Sequence, residues 1–109
     1  MQTYHFLAFD LGASSGRAIL GSLYKGKISL KEIHRFENQM ILKEDHYYWD
    51  IKRLYSEIES GLKKCIEKEA IIPHCIGIDS WGVDFGLLDY TGQLAGNPFA
   101  YRDSLTDGA

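Results

Sequence analysis

The stretch FDLGASSGRAIL, residues 9 to 20, limits what this chain can fold into more than any other part of it. Tyr4 to Leu11 is nearly continuous apolar sequence interrupted by Asp10, and after five small residues, Gly12 to Gly16, the chain enters a second strand-like run from Arg17 to Tyr24. Consecutive apolar positions read as a central strand covered on both faces. The small residues therefore join two strands. A carboxylate following Phe6, Leu7, Ala8 and Phe9 is costly unless it binds something. The glycines allow two readings: a tight turn serving only the hairpin, or a nest of backbone N–H groups that an anion can approach closely.

Lys25-Gly26 turns the chain into a third strand, Ile28 to about Asn38, where Ile33 and Phe36 break the alternation of Ile28 and Leu30 and predict a bulge. Residues 40 to 50 read as a loop carrying HYYWD, whose aromatics pack outside the sheet or roof a cleft. From Asp50 the period changes. Ile51, Leu54, Tyr55, Ile58, Leu62, Cys65 and Ile66 recur at three- and four-residue steps, so an amphipathic helix N-capped by Asp50 is expected, with Glu59 and Lys63 as an exposed pair. It ends near Glu69, ahead of Pro73. A strand from His74 to Asp79, a break at Ser80-Trp81-Gly82 and a strand from Val83 to Asp89 follow, before Tyr90-Thr91-Gly92 turns the chain back.

The expected order is β-β-β-α-β-β, an α/β arrangement with three antiparallel strands, a crossing helix and a strand parallel to the first. Such a mixed sheet is the front half of a ribonuclease-H-like or actin-like ATPase domain. No closing element follows before Ala109, so the chain is expected to be the first part of a longer protein.

With 109 residues, 45% hydrophobic and 13% aromatic, the sequence suits one globular unit at most. Its net charge of −3 and the lack of any basic run longer than Lys52-Arg53 or Lys63-Lys64 give nucleic acid or an anionic membrane no positive surface. The run Phe6 to Phe9 is too short to span a bilayer, and a cytoplasmic protein is expected. Cys65 and Cys75 read as ordinary small core residues of a reducing compartment. His74 beside Cys75 points to the other strand face, so the two cannot share a metal.

Two constellations carry chemistry. A nest from Gly12 to Gly16 suits a polyphosphate, since each N–H to an anionic oxygen is worth about 1.5–3 kcal/mol. Asp10, at the strand end, is placed to hold Mg²⁺ against those phosphates. The strand-to-helix phosphate loop is excluded, because position 17 is Arg and a strand follows. In IGIDSWGVDFGLLD, residues 76 to 89, a strand ends in Asp79, Ser80, Trp81 and Gly82, at the carboxyl edge where ligands of open α/β sheets sit. Trp81 is there either to stack on a sugar face or as a core aromatic, and the Gly82 backbone is open to a hydroxyl. The segment AYRDSLTDG, residues 100 to 108, reads as a solvated loop with Arg102 and Asp103 adjacent.

Taken together and in order, FDLGASSGRAILG, IHRFEN, the Trp-Asp pair at 49 and 50, IGIDSWGVDFGLLD and AYRDS resemble the N-terminal part of the FGGY carbohydrate kinases, in the branch that phosphorylates L-rhamnulose. The resemblance covers essentially the whole chain and implies transfer from Mg-ATP to the 1-hydroxyl of the ketose, in a cleft between two actin-like domains. It implies that Ala13, Ser14, Ser15, Gly16 and Arg17 bind phosphate, that Asp10 faces the metal, and that Gly82, with Trp81 beside it, meets the sugar. The partners implied are a small sugar and ATP. The general base and the adenine pocket would lie beyond residue 109, so no catalytic residue is assigned here. Tyr101 and Asp103 fit an aromatic-x-Asp-x-Arg pattern of the family, but Leu105 stands where Arg is expected. A fuculose-type ketose is the nearest alternative substrate.

Two other classes compete. Asp10 and Asp79 stand where a ribonuclease-H-like nuclease carries two metal-binding carboxylates, although the acidic balance opposes nucleic-acid binding. A non-catalytic module is the other, and half a sheet with an unpaired edge would then favour self-association.

Overall fold

The computed structural model describes residues 2–82 and 84–100. In chain order these form β1 (Tyr4–Leu11), β2 (Ser15–Tyr24), β3 (Lys27–Glu37), β4 (Ile41–Lys43), β5 (His46–Tyr48), α1 (Ile51–Glu67) and β6 (Cys75–Asp79). The main sheet has the order β3-β2-β1-β6, with β1 antiparallel to β2 and parallel to β6. A parallel neighbour needs a crossover, and α1 supplies it.

Alternation in β1 and β2 builds the core. Leu7, Phe9 and Leu11 lie opposite Leu20, Ala18 and Gly16, and all six are buried on one face. Onto that face α1 sets Leu54 and Cys65, with Ile51, Ile58 and Leu62 packed partly buried around them. A Leu side chain so covered contributes about 1.5–3 kcal/mol. The approach is close because of Gly61, where a Cβ would come within 2.7 Å of the Phe9 ring. Asp50 caps the helix as expected, accepting the Arg53 backbone N–H at 3.1 Å.

Other expectations hold in detail. Lys25 and Gly26 both take left-handed φ, at 50° and 76°, as a two-residue hairpin turn demands. The register of β2 against β3 slips between Ala18 and Ile19, whose partners are His34 and Glu32, so Ile33 is the extra residue of the bulge.

Four readings need correction. Residues 40 to 50 are not simply a loop, because β4 and β5 pair through a turn in which Glu44 and Asp45 take left-handed φ without a glycine. No strand runs from position 84 to Asp89: Leu87 and Leu88 pair only with their own return, through the Leu88–Leu94 bridge and the Ala95 N–H to Leu87 carbonyl bond of 2.8 Å. The observed order is thus β-β-β-β-β-α-β, and Val83 lies outside the described residues. No ion pair joins Glu59 to Lys63 among the described residues. Cys65 is fully buried, donates to the Ile71 carbonyl at 3.3 Å, and has its thiol pKa pushed up by burial and then by Glu69. Cys75, in contrast, is exposed, because β6 is the outermost strand of the sheet.

The helix packs mainly on β1, β2 and β3. Ile76 and Ile78 of β6, level with Leu7 and Phe9, stay 48% and 58% exposed. No described helix is long and apolar enough to cross a membrane.

Candidate phosphate and sugar site

The hairpin between β1 and β2 is tied from inside. The Gly12 N–H donates to the Ser15 carbonyl at 2.9 Å, while buried Asn38 gives its backbone N–H to the Ser14 carbonyl at 3.0 Å and its side-chain amide to the Gly12 carbonyl at 2.8 Å. Three loop carbonyls are thereby engaged within the protein. A phosphate approaching the loop meets less carbonyl repulsion for it.

Two glycines here answer to space and not to backbone conformation, since neither has a positive φ. A Cβ on Gly12 would come within 2.8 Å of the Ser15 carbonyl oxygen, and one on Gly16 within 2.2 Å of the Phe36 ring. The turn-only reading accounts for them as well as the phosphate reading does. The charges on the loop discriminate better. Arg17 reaches back along the hairpin, donating from Nη1 to Asp10 Oδ2 and from Nη2 to Ser15 Oγ, each at 2.9 Å. Its Nε is buried with no hydrogen-bond partner among the described residues. The Arg17 side chain, 29% exposed, nevertheless sets a positive charge beside a loop with exposed Ser14 and half-buried Ala13, which suits an anion. Asp10 is half exposed and spends only Oδ2 on Arg17, so Oδ1 fits a metal ion or its water.

Asp79 is the register partner of Asp10 on the parallel strand β6. The two carboxylates of the nuclease reading therefore do stand at the same sheet edge. Among the described residues, however, no group of three or more His, Cys, Asp or Glu side chains is placed to hold a metal.

Beyond β6, Gly82 is exposed and a Cβ there would meet no described residue within 4 Å. Neither packing nor backbone conformation demands glycine at this place, in contrast to Gly12 and Gly16. Trp81 is half-buried against the core cluster and packs on Trp49 with ring centroids 4.4 Å apart. The core-aromatic reading thus accounts for most of the ring. The HYYWD segment forms the wall beneath it: Trp49 is 1% exposed, and β5 is flanked by 98–100 through the Trp49 N–H to Pro98 carbonyl and Ala100 N–H to Tyr47 carbonyl bonds. Tyr101 to Leu105, with Arg102 and Asp103, lie outside the described residues.

Two polar residues escaped the sequence reading. Asn38 closes the third strand and had a signal, a polar side chain at the end of an alternating apolar run. Asp84 had none: its Oδ2 accepts both indole N–H groups, Trp49 Nε1 at 2.6 Å and Trp81 Nε1 at 2.5 Å, and only folding brings positions 49 and 81 together.

No family model matches the chain. The rhamnulokinase of Halalkalibacterium halodurans is 54% identical over 102 residues, covering 94% of this chain and 21% of that protein. That of Bacteroides thetaiotaomicron is 51% identical over 105 residues, and that of Pectobacterium carotovorum 47% over 110, or 99% of this chain and 22% of the relative. The chain thus spans about a fifth of the length of the relatives it matches. Among solved structures, gluconate kinase from Lactobacillus acidophilus superposes with a TM-score of 0.77 at 15% identity, over 94% of this chain and 20% of that one. Xylulose kinase from Rhodospirillum rubrum gives 0.72 at 14% identity, over 95% and 22%. These two carry the fold alone, a mixed sheet from the actin-like ATPase class. In sequence the chain is similar to rhamnulokinases over nearly its whole length, and in fold it is similar to two other sugar kinases.

Proposed function

We propose that this chain is the first part of a sugar kinase that moves the γ-phosphoryl group of Mg-ATP to a ketose, L-rhamnulose at its 1-hydroxyl. The observation that carries the reading is the pairing of two unlike loops at the carboxyl ends of the adjacent parallel strands β1 and β6. One is an inwardly tied hairpin with a cationic side chain. The other exposes Gly82 over open space.

On this reading Ala13 to Gly16 take phosphate oxygens on their backbone N–H groups, and Arg17 adds the positive charge of its guanidinium beside them. Asp10 would hold the metal, while Arg17 keeps its Oδ2 oriented. Bound Mg²⁺ would neutralise charge on the phosphates during transfer. Gly82 presents its backbone to a ketose hydroxyl, and the half-buried Trp81 offers the part of its ring not covered by Trp49. The residue that takes the proton from the attacking hydroxyl belongs, on the same reading, to sequence after residue 109, so this chain binds and does not turn over alone. The free thiols Cys65 and Cys75 are in keeping with a cytoplasmic setting. Alone, the uncovered Ile76 and Ile78 favour self-association of the segment.

The test is a coupled kinase assay of the full-length protein with Mg-ATP against a panel of ketoses. L-rhamnulose should give the highest kcat/KM, with a fuculose-type ketose below it. Absence of phosphoryl transfer to any ketose, or tight low-salt binding of labelled nucleic acid, would overturn the reading.

A further inference from the structure

We propose that Asp84 is a positioning residue, a carboxylate latch that fixes the sugar-side loop by holding the indole N–H groups of Trp49 and Trp81 on one oxygen. The proposal rests on the reading of Gly82 as a sugar contact.

Asp84 and Trp81 are three positions apart, and the Trp81 Nε1 to Asp84 Oδ2 bond of 2.5 Å ties together two residues on either side of Gly82. The 2.6 Å bond from Trp49 Nε1 to the same oxygen anchors both to the rest of the molecule. Trp49 is a rigid anchor. It is 1% exposed, its backbone N–H is bonded to the Pro98 carbonyl at 2.9 Å, and the next residue, Asp50, caps α1.

A carboxylate oxygen has the lone pairs to accept two donors, and both bonds are charge-assisted. Among the described residues the other side-chain hydrogen bond of this loop is a long one, Ser80 Oγ donating to the neighbouring Trp81 carbonyl at 3.4 Å. Without the latch, the Gly82 backbone would sample positions away from the one a ketose hydroxyl meets, and two indole donors would lose their acceptor. The phosphate hairpin, tied by Asn38, would not feel the change.

The test compares Asp84→Ala and Asp84→Asn with wild type in the full-length protein, using L-rhamnulose and Mg-ATP. Asp84→Ala should raise the KM for the ketose by roughly tenfold or more while the KM for ATP stays within about twofold, because loss of a binding contact made equally in ground and transition states appears in KM. Asp84→Asn, which keeps the shape and an acceptor oxygen, should recover much of the loss. An unchanged ketose KM in a folded Asp84→Ala protein, or equal rises for ketose and ATP, overturns the proposal. Should Asp84→Ala fail to fold, Trp49→Phe and Trp81→Phe each remove one donor and keep a ring; each should raise the ketose KM, and the double variant should raise it by less than the product of the two. Additive effects would count against a shared oxygen.

A second measurement does not depend on turnover. In the full-length protein labelled with ¹⁵N-tryptophan, the indole N–H signals of Trp49 and Trp81, assigned by Trp49→Phe and Trp81→Phe, should both move upfield in Asp84→Asn. Signals that stay in place refute the latch. A wild-type protein that phosphorylates no ketose would defeat the kinase reading instead, with the indole shifts still deciding whether the latch exists.

Discussion

The loop after β1 is held by its own backbone and by one buried amide, whereas the loop after β6 is held by side chains borrowed from a distant segment. In the first, Gly12 N–H, Asn38 N–H and the Asn38 amide engage three carbonyls within a span of 27 residues. In the second, Asp84 bonds an indole 35 residues away. Glycine means different things in the two places. At position 16 the protein interior forbids a side chain, and at position 82 no described residue does.

That contrast can be broken at several points. Asp10→Ala in the full-length protein should lower turnover by roughly 10²-fold or more, the scale of losing an electrostatic stabiliser at the reacting group. Its exposed pair with Arg17 is worth only about 0.2–1 kcal/mol, so melting should barely move, and wild-type kcat with intact Mg²⁺ dependence would remove Asp10 from the site.

Gly16→Ala should act the other way, on stability before function. Forcing a methyl group into the Phe36 ring costs about 1–3 kcal/mol, and circular dichroism should show the melting temperature fall by several degrees. Phe36→Leu in the same chain should restore part of it. Asn38→Ala leaves the Gly12 carbonyl without its donor, with an expected loss of about 1–2 kcal/mol in urea unfolding.

Gly82→Ala should leave the melt unchanged and raise the ketose KM by roughly tenfold, about 1.4 kcal/mol of binding. A melting temperature that drops with it would mean that position 82 is structural after all. The smallest effect is at the turn following position 88. The Thr91 hydroxyl first, then the Gln93, Thr91 and Gly92 backbone N–H groups, hold the Asp89 carboxyl below its ordinary pKa. A depressed folded pKa means the contribution is present above the unfolded-chain value and fades as pH falls through the folded one. An NMR titration should place Asp89 below a free aspartate, and Asp89→Asn should lose the pH dependence.

Much of this was readable from residue order. The apolar run Tyr4 to Leu11, the Lys25-Gly26 turn, the three- and four-residue period after Asp50 and the bulge at Ile33 each have a local cause, so each was placed correctly. The β4–β5 hairpin has no comparable local signal, because Glu44-Asp45 carries no glycine to announce a left-handed turn. The stretch from position 84 to Asp89 misled for the opposite reason: it has strand-like residues but no sheet neighbour to pair with, and a strand exists only through its partner.

What the sequence by itself determined is the presence of a strand–small-loop–strand hairpin with Asp10 at its mouth, and a second loop at the end of a parallel strand, because periodicity and chain connectivity specify both. What only the tertiary structure decided is which groups are already spoken for. Arg17 takes Asp10, Phe36 excludes a side chain from position 16, and Asp84 joins Trp49 to Trp81. These are contacts between residues that local propensity never relates, fixed only when the sheet and helix pack and bring them within hydrogen-bond or van der Waals reach.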